Sequence, residues 1–215
     1  MSVKLYSFFR SSAAYRVRIA LNLKSLGYEQ VPVHFRKDGG QHRLPDFLAL
    51  NPQGLLPVLD DDGFVLQQSL AIIEYLDEAY PETLRLLPSD VRERSVVRAM
   101  AQMIACDLHP LNNLRVLNYL RAELDQTDEG VNAWYRHWVG ENLVGLEEMV
   151  QRHGGQFCFG DEVSLVDICL VPQMYNARRF SYDLTEFPGL FAVDARLQAL
   201  EPIAAAAPEL QPDAE

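Results

Sequence analysis

The chain has 215 residues, of which 48% are hydrophobic and 23% are charged, a globular composition that excludes wholesale disorder. No apolar run approaches the ~18 residues of a transmembrane helix, and the chain does not begin with the apolar stretch of a signal peptide. Three widely spaced cysteines do not suit a disulfide framework. We therefore expect a cytoplasmic protein without a membrane span, folded as one large or two small domains.

Charge is unevenly distributed along the chain. The net charge of −11 argues against nucleic acid or an anionic membrane as the main partner. Residues 1–43 nevertheless carry eight basic and two acidic side chains, a local charge of +6, which leaves −17 on the remainder. This basic segment indicates a local site for a small anion, unless its charges are simply solvated.

The first ~80 residues alternate between strand and helix patterns. Pro32 places the second strand at a sheet edge or at a bulge. Gly27 is a candidate stop for the first helix, and Ser69 is a candidate cap for the last. Asp62 and Gly63 indicate a hairpin turn. The order of these elements is thioredoxin-like. The predicted elements are strand 3–7, helix 11–26, strand 28–35, helix 45–50, strands 55–59 and 64–67, and helix 69–79.

The rest of the chain shows only helical patterns. Ser164 and Asp167 have the spacing of a capping box, and Pro172 should kink the helix that follows. The residues from Pro202 onward are expected to be a loosely held end. We predict two domains, 1–82 and 88–215, the second all-helical, with helices over 89–121, 129–152, 164–180 and 190–200.

The start of the first helix is the candidate reactive site. No cysteine precedes Cys106, so dithiol exchange there is excluded; Arg10, Ser11 and Ser12 form an anion-binding helix start instead. To ionise a bound thiol, its pKa must fall from about 8.5 by ~2 units, or ~2.7 kcal/mol. A helix end supplies ~0.3–1 kcal/mol, so a hydroxyl donor, worth ~1.5–3 kcal/mol to a charged group, is also needed. The alternative is that the serines only cap the helix.

Two further features suggest that an extended peptide binds beside this helix. A cis bond between Leu56 and Pro57 would expose the Leu56 backbone for strand-like pairing. Gln68 and Ser69 open a second helix whose N-terminus can receive an anion. A tripeptide could place its thiol at one helix start and a carboxylate at the other.

Cys106 and His109 have metal-ligand spacing but no second pair, so we predict no metal site.

Several segments match one family, in order, along nearly the whole chain. They are YSFFRSSAAYRVRIAL at 6–21, Asn51-Pro52, Leu56-Pro57, QSLAIIEYL at 68–76, GDEV at 160–163, LVPQ at 170–173 and Arg179-Phe180. This set resembles the zeta-class glutathione transferases, which include maleylacetoacetate isomerase and bacterial maleylpyruvate isomerases. The resemblance implies a thioredoxin-like first domain, an all-helical second domain, glutathione as cofactor and a homodimer.

The resemblance also implies roles for individual residues. Ser11 corresponds to the hydroxyl that stabilises the thiolate, with Ser12 beside it. The glutathione-contact positions are Ser11, Ser12, His42, Leu56, Pro57, Gln68, Ser69, His109 and Asn113. His109, Asn113 and Arg115 are expected on one helix face turned toward the site. This sequence departs from the family pattern at Ala13, where the signature has cysteine, at His109, where many members have glutamine, and at Arg115, where many animal members have serine.

The implied reaction is cis–trans isomerisation of a maleyl keto-acid that carries two carboxylates. Arginine binds carboxylates bidentately, so Arg10, Arg115 and Arg179 are the candidates for holding them. Alternatively, Arg179 pairs with Asp183 and Arg115 is solvated. Arg115 favours maleylpyruvate, the more compact dianion, without deciding between the two substrates. The other possible functions are a general transferase, peroxidase or α-haloacid dehalogenase of this fold, and a non-catalytic binding module.

Overall fold

The computed structural model describes residues 2–215. The chain forms two compact units, one comprising the residues up to Leu86 together with Ala199–Glu215, the other comprising Leu87–Gln198. The predicted division grouped residues 199–215 with the helical domain, whereas in the structure this last segment packs within the first unit.

The first unit is built on a four-stranded sheet. The strand order is β2-β1-β3-β4; β1 is parallel to β2 and antiparallel to β3, and β3 is antiparallel to β4. This arrangement confirms the thioredoxin-like prediction, including the edge position of Pro32. The elements are β1 (Val3–Ser7), α1 (Ser12–Leu23), β2 (Glu29–Pro32), α2 (Pro45–Leu50), β3 (Val58–Asp61), β4 (Phe64–Gln67) and α3 (Ser69–Ala79).

Turn chemistry explains where these elements end. Asp62 and Gly63 have φ of 54° and 95°, the positive values that a two-residue hairpin turn between β3 and β4 requires. The prediction that Gly27 stops α1 is wrong, because α1 ends at Leu23 and Ser25 adopts the positive φ of 54°. The prediction that Ser69 caps α3 is also wrong, because the cap position is Gln68 and Ser69 is the first helical residue.

The second unit is helical, as predicted. Its only β feature within the described residues is an isolated bridge between Gly154 and Gly160. Its helices are α4 (Val91–Gln102), a π-helical segment (Met103–Leu108), α5 (His109–Leu111), α6 (Leu114–Ala122), α7 (Asp128–His153), α8 (Leu165–Arg179) and α9 (Pro188–Gln198).

Two local signals in this unit had different outcomes. The predicted single helix over 89–121 is wrong: α4, the π-helical segment and α5 follow one another to Leu111, and the side chain of Asn113 then caps α6 as a new helix. The Ser164–Asp167 capping box is confirmed, and α8 continues through Pro172.

The segment from Ala199 is firmly attached to the first unit, so the expectation of a loose end is wrong. It contains α10 (Glu201–Ala204), where Ile203 is fully buried. Asn22 of α1 donates to the Pro202 carbonyl at 2.9 Å, and Glu215 contacts His34 at 3.0 Å. Among residues 2–215, the structure contains no helix with the length and hydrophobicity to cross a membrane.

Candidate functional site

Ser11 stands at the junction between β1 and α1. Its amide donates to the Phe8 carbonyl at 2.9 Å, which closes the turn, and its Oγ accepts from the Ala14 amide at 3.3 Å. The capping role considered from the sequence is therefore real. Because a capping hydroxyl uses its oxygen as acceptor, the Ser11 O–H remains free to donate. Capping and thiolate stabilisation are thus compatible in one side chain.

Ser12 and Arg10 flank this hydroxyl, and both are partly exposed. Ser12 is the first residue of α1, so its amide belongs to the first turn, whose N–H groups have no helical acceptor. The guanidinium of Arg10 lies 4.8 Å from the centre of the Phe9 ring. A helix N-terminus, a free hydroxyl and a nearby cation together favour an anion at this place.

Two arginines of α1 are buried rather than solvated. Arg18 is fully buried and donates to the Phe9 carbonyl at 2.9 Å and to Ser7 Oγ at 3.0 Å. Arg16, also buried, donates to Ser69 Oγ at 3.3 Å. From the sequence, both arginines were taken as charges of a basic segment, and their structural role was not predicted. The available signal was that both positions fall within the apolar pattern of α1.

His42 presents a polar atom without a partner. Its Nδ1 is buried and forms no hydrogen bond with any residue in 2–215, while its ring packs edge-on against Phe35 with centroids 4.8 Å apart. Burial, followed by the charge of Arg43, lowers the pKa of His42 below 6.5. The imidazole is therefore neutral near pH 7 and can hydrogen-bond a ligand.

The peptide bond between Leu56 and Pro57 is cis, the isomer that the sequence analysis linked to an exposed Leu56 backbone. Asn51 shapes the preceding turn: its Nδ2 donates to the Leu55 carbonyl at 2.7 Å and its Oδ1 accepts from the Gln53 amide at 3.0 Å. The Leu56 N–H and C=O pair with no other group in residues 2–215. They are available to an extended peptide, as the sequence suggested.

The start of α3 supplies a second set of unpaired amides. Gln68 has φ of 72°, a value that is strained for this residue and of a kind found at ligand sites. It is exposed, and its Nε2 donates to Gln53 Oε1 at 3.0 Å. Ser69 is buried beneath it. Since the first helical amides have no acceptor within the helix, this end can receive a carboxylate.

In the second unit, the predicted residues divide between two helices. Asn113 caps α6 by accepting from the Arg115 amide at 3.1 Å, and its Nδ2 lies 3.4 Å from His109 Nε2 on α5. The expectation that His109, Asn113 and Arg115 share one helix is therefore wrong. Arg115 is exposed, and its guanidinium forms no ion pair within residues 2–215.

Arg179 is the last residue of α8 and is exposed. Its predicted alternative partner, Asp183, instead accepts from the Thr185 amide at 3.0 Å and from the Thr185 hydroxyl at 2.7 Å. No ion pair involving Arg179 is found among the described residues. Arg179 therefore offers an uncommitted guanidinium.

The part of the chain that the structure describes contains no cluster of potential metal ligands.

Comparison with known proteins gives consistent matches. The family model described as "Glutathione S-transferase, N-terminal domain" matches residues 5–84. The chain is 54% identical to a probable maleylacetoacetate isomerase of Vibrio cholerae over 100% of this chain and 99% of that protein.

Two solved structures are similar over nearly their whole length. A holo structure of a maleylpyruvate isomerase, described as a bacterial zeta-class glutathione S-transferase, is 45% identical with a TM-score of 0.94, covering 99% of this chain and 100% of the other. A maleylacetoacetate isomerase from Anaeromyxobacter dehalogenans, with dicarboxyethyl glutathione and citrate in its active site, is 40% identical with a TM-score of 0.87, covering 100% and 94%.

Proposed function

Because the chain belongs to the zeta-class glutathione transferases, we propose that it is a glutathione-dependent cis–trans isomerase of a maleyl keto-acid, maleylacetoacetate or maleylpyruvate. The observation that carries this proposal is the free O–H of Ser11 at the N-terminus of α1, where a hydroxyl and a helix end converge on one anion.

The residues of the first unit fit glutathione group by group. The Leu56 N–H and C=O match the backbone of the central residue of an extended tripeptide. The unpaired amides at the start of α3 suit a carboxylate, and the orphaned Nδ1 of His42 can hydrogen-bond a polar group of the same ligand. When bound, glutathione supplies a nucleophilic thiolate that adds reversibly to a conjugated double bond and so permits rotation.

Ser11 holds the sulfur in its ionised form. Lowering a thiol pKa from about 8.5 by ~2 units requires ~2.7 kcal/mol. The N-terminus of α1 contributes ~0.3–1 kcal/mol, and a hydrogen bond from the Ser11 hydroxyl to the charged sulfur contributes ~1.5–3 kcal/mol. The two together meet the requirement, whereas the helix end alone does not. Ser12, beside it, adds its backbone amide or its hydroxyl.

Arginines bind the carboxylates of the substrate and stabilise the negative charge that develops on its oxygens. Arg10 in the first unit and Arg115 and Arg179 in the second are the proposed residues. Arg115 and Arg179 have guanidinium groups that no carboxylate of residues 2–215 occupies, which leaves them free for a dianionic substrate. The citrate and dicarboxyethyl group bound in the Anaeromyxobacter structure support this class of ligand.

A direct assay tests the proposal. Purified protein mixed with maleylpyruvate or maleylacetoacetate should remove the absorbance of the cis-enedione only when glutathione is present. S11A should lower this rate strongly, while S95A, which alters an exposed serine of α4, should not. Equal rates without glutathione would refute the proposal. Faster turnover of a small α-haloacid than of either maleyl acid would instead identify a general transferase, and absence of glutathione binding a non-catalytic module.

A homodimer in the cytoplasm completes the proposal. The resemblance to zeta-class enzymes supports the dimer. None of Cys106, Cys158 and Cys169 forms a disulfide, which suits a reducing compartment. Light scattering of the purified chain at the mass of two copies is the expected result; a single-copy mass would exclude the dimer.

A further inference from the structure

The backbone of Phe9, two residues before Ser11, is held by two charged side chains. The Asp213 Oδ2 accepts from the Phe9 amide at 2.9 Å, and Arg18 Nη2 donates to the Phe9 carbonyl at 2.9 Å. Hydrogen bonds to ionised groups are shorter and stronger than neutral ones. The position of this loop residue is therefore fixed from both of its polar backbone groups.

The same two side chains connect the loop to the last segment of the chain. Arg18 Nε donates to the Ala206 carbonyl at 3.1 Å, and Asp213 Oδ1 accepts from Gln30 Nε2 on β2 at 3.1 Å. The hydrogen bonds that Arg18 and Asp213 make to the Phe9 backbone are thus linked to α1, to the edge strand β2 and to residues 199–215. Nothing in the reaction itself requires these contacts, and Asp213 lies 204 residues from Phe9 in sequence.

We propose that Asp213 is a positioning residue for the thiol-binding site: it sets the place of the Ser11 hydroxyl by fixing the Phe9 amide. This inference rests on the proposed function, because it assigns Ser11 to the glutathione sulfur. The physical reason is geometric. A hydrogen bond weakens steeply as its angle departs from linearity, and small misplacements of a reacting group reduce rates sharply.

The competing role for Asp213 is simple stabilisation of the fold, since it also attaches the last segment to β2. Asn22 provides the matched control. Its Nδ2 donates to the Pro202 carbonyl at 2.9 Å, so it attaches the same segment to α1, yet it makes no contact with Phe9. A purely structural role predicts that loss of either attachment has the same consequences.

The experiment compares D213A, D213N and N22A with the wild-type chain. Three quantities are measured at a temperature where all four are folded: the apparent thiol pKa of bound glutathione from thiolate absorbance, the dissociation constant of glutathione, and amide hydrogen exchange in residues 8–14. In D213A the thiol pKa should rise by roughly one unit and the dissociation constant about tenfold, with faster exchange in 8–14. In D213N, where the amide oxygen can still accept from Phe9, values should return toward wild type.

N22A should lower Tm without changing the thiol pKa or exchange in 8–14. The positioning role would be overturned if D213A had the same thiol pKa and the same amide exchange in 8–14 as the wild type, or if D213A and N22A changed these values equally. Either result would leave the proposed function intact. A wild-type protein that does not bind or ionise glutathione would refute the proposed function, and with it any role for Asp213 in that site.

Discussion

Arg178, near the end of α8, pairs with the fully buried carboxylate of Asp194 on α9. Burial raises the pKa of Asp194, and the adjacent Arg178 guanidinium opposes that effect. On the other side of Arg179, Phe180 stacks on Tyr135 with ring centroids 3.9 Å apart. Both neighbours of Arg179 are therefore anchored, which fixes its backbone while its own guanidinium stays exposed.

Removal of this guanidinium should weaken the binding and turnover of the dianionic substrate and leave glutathione binding unchanged. For R179A we expect kcat/KM for maleylpyruvate to fall about 10–100-fold, the loss of one charge-assisted contact, with an unchanged dissociation constant for glutathione. Steady-state kinetics and calorimetry measure the two quantities. R136A, which removes an exposed arginine paired with Glu129, is the control. Equal kcat/KM in R179A and wild type would exclude Arg179 from substrate binding.

His42 should make both the stability of the fold and the binding of glutathione dependent on pH. Burial lowers its pKa below the ordinary 6.5, so the folded protein favours the neutral ring, and the unfolded chain takes up its proton first as pH falls. Stability should consequently decrease as pH falls below about 6.5, toward the lowered pKa. Denaturant unfolding and glutathione binding between pH 7.5 and pH 5 should show a steeper decline in wild type than in H42Q. Parallel pH profiles for the two proteins would contradict this assignment.

Much of the fold follows from local signals in the sequence. The strand and helix order of the first unit, the turn at Asp62 and Gly63, and the capping box at Ser164 all depend on residues close together in the chain. The attachment of residues 199–215 could not be predicted, because it depends on Asp213 meeting Phe9 and Glu215 meeting His34 across nearly the whole sequence.

In the candidate site, too, the residues marked by local signals were predictable from the sequence, and those placed by contacts distant in the sequence were not. Ser11, Leu56 and Gln68 were identifiable because each stands at the start of an element or beside a proline. Arg18 was not, since a charged side chain in a helix is usually solvated, and only the packed structure reveals its bonds to the loop. The break at Asn112 and Asn113 separates His109 from Arg115 in a way that helical periodicity concealed.

Glu147 should be a major stabilising residue of the second unit. It is buried, and its carboxylate accepts from the Gly189 and Leu190 amides, each at 2.9 Å, at the start of α9. E147A should lower the free energy of unfolding by ~2–4 kcal/mol, because a buried amide and a partly buried amide lose a charged acceptor. E148A, which removes only the exposed pair with Arg152, should cost less than ~0.5 kcal/mol. Similar losses in the two variants, measured by urea unfolding, would contradict the capping role.

The three thiols should react very differently with a thiol-specific reagent. Cys106 is exposed, whereas Cys158 and Cys169 are buried, and burial raises the pKa of the Cys158 thiol. Since the thiolate is the reactive form, the native protein should label rapidly at one cysteine and the denatured protein at all three. C106S should remove the rapid phase. Rapid labelling of two or three thiols in the native protein would show that Cys158, Cys169 or both are accessible, contrary to their burial.

Ser11 is proposed to keep the sulfur of bound glutathione ionised, and the thiolate absorbance of the complex as a function of pH reports that ionisation. The wild-type complex should show a thiol pKa about 2 units below the ordinary 8.5. The S11A/S12A variant should raise that pKa by at least ~1 unit, corresponding to the loss of one hydrogen bond to a charged group, and lower turnover in proportion. An unchanged thiol pKa in a folded variant that still binds glutathione would show that the two hydroxyls do not stabilise the thiolate.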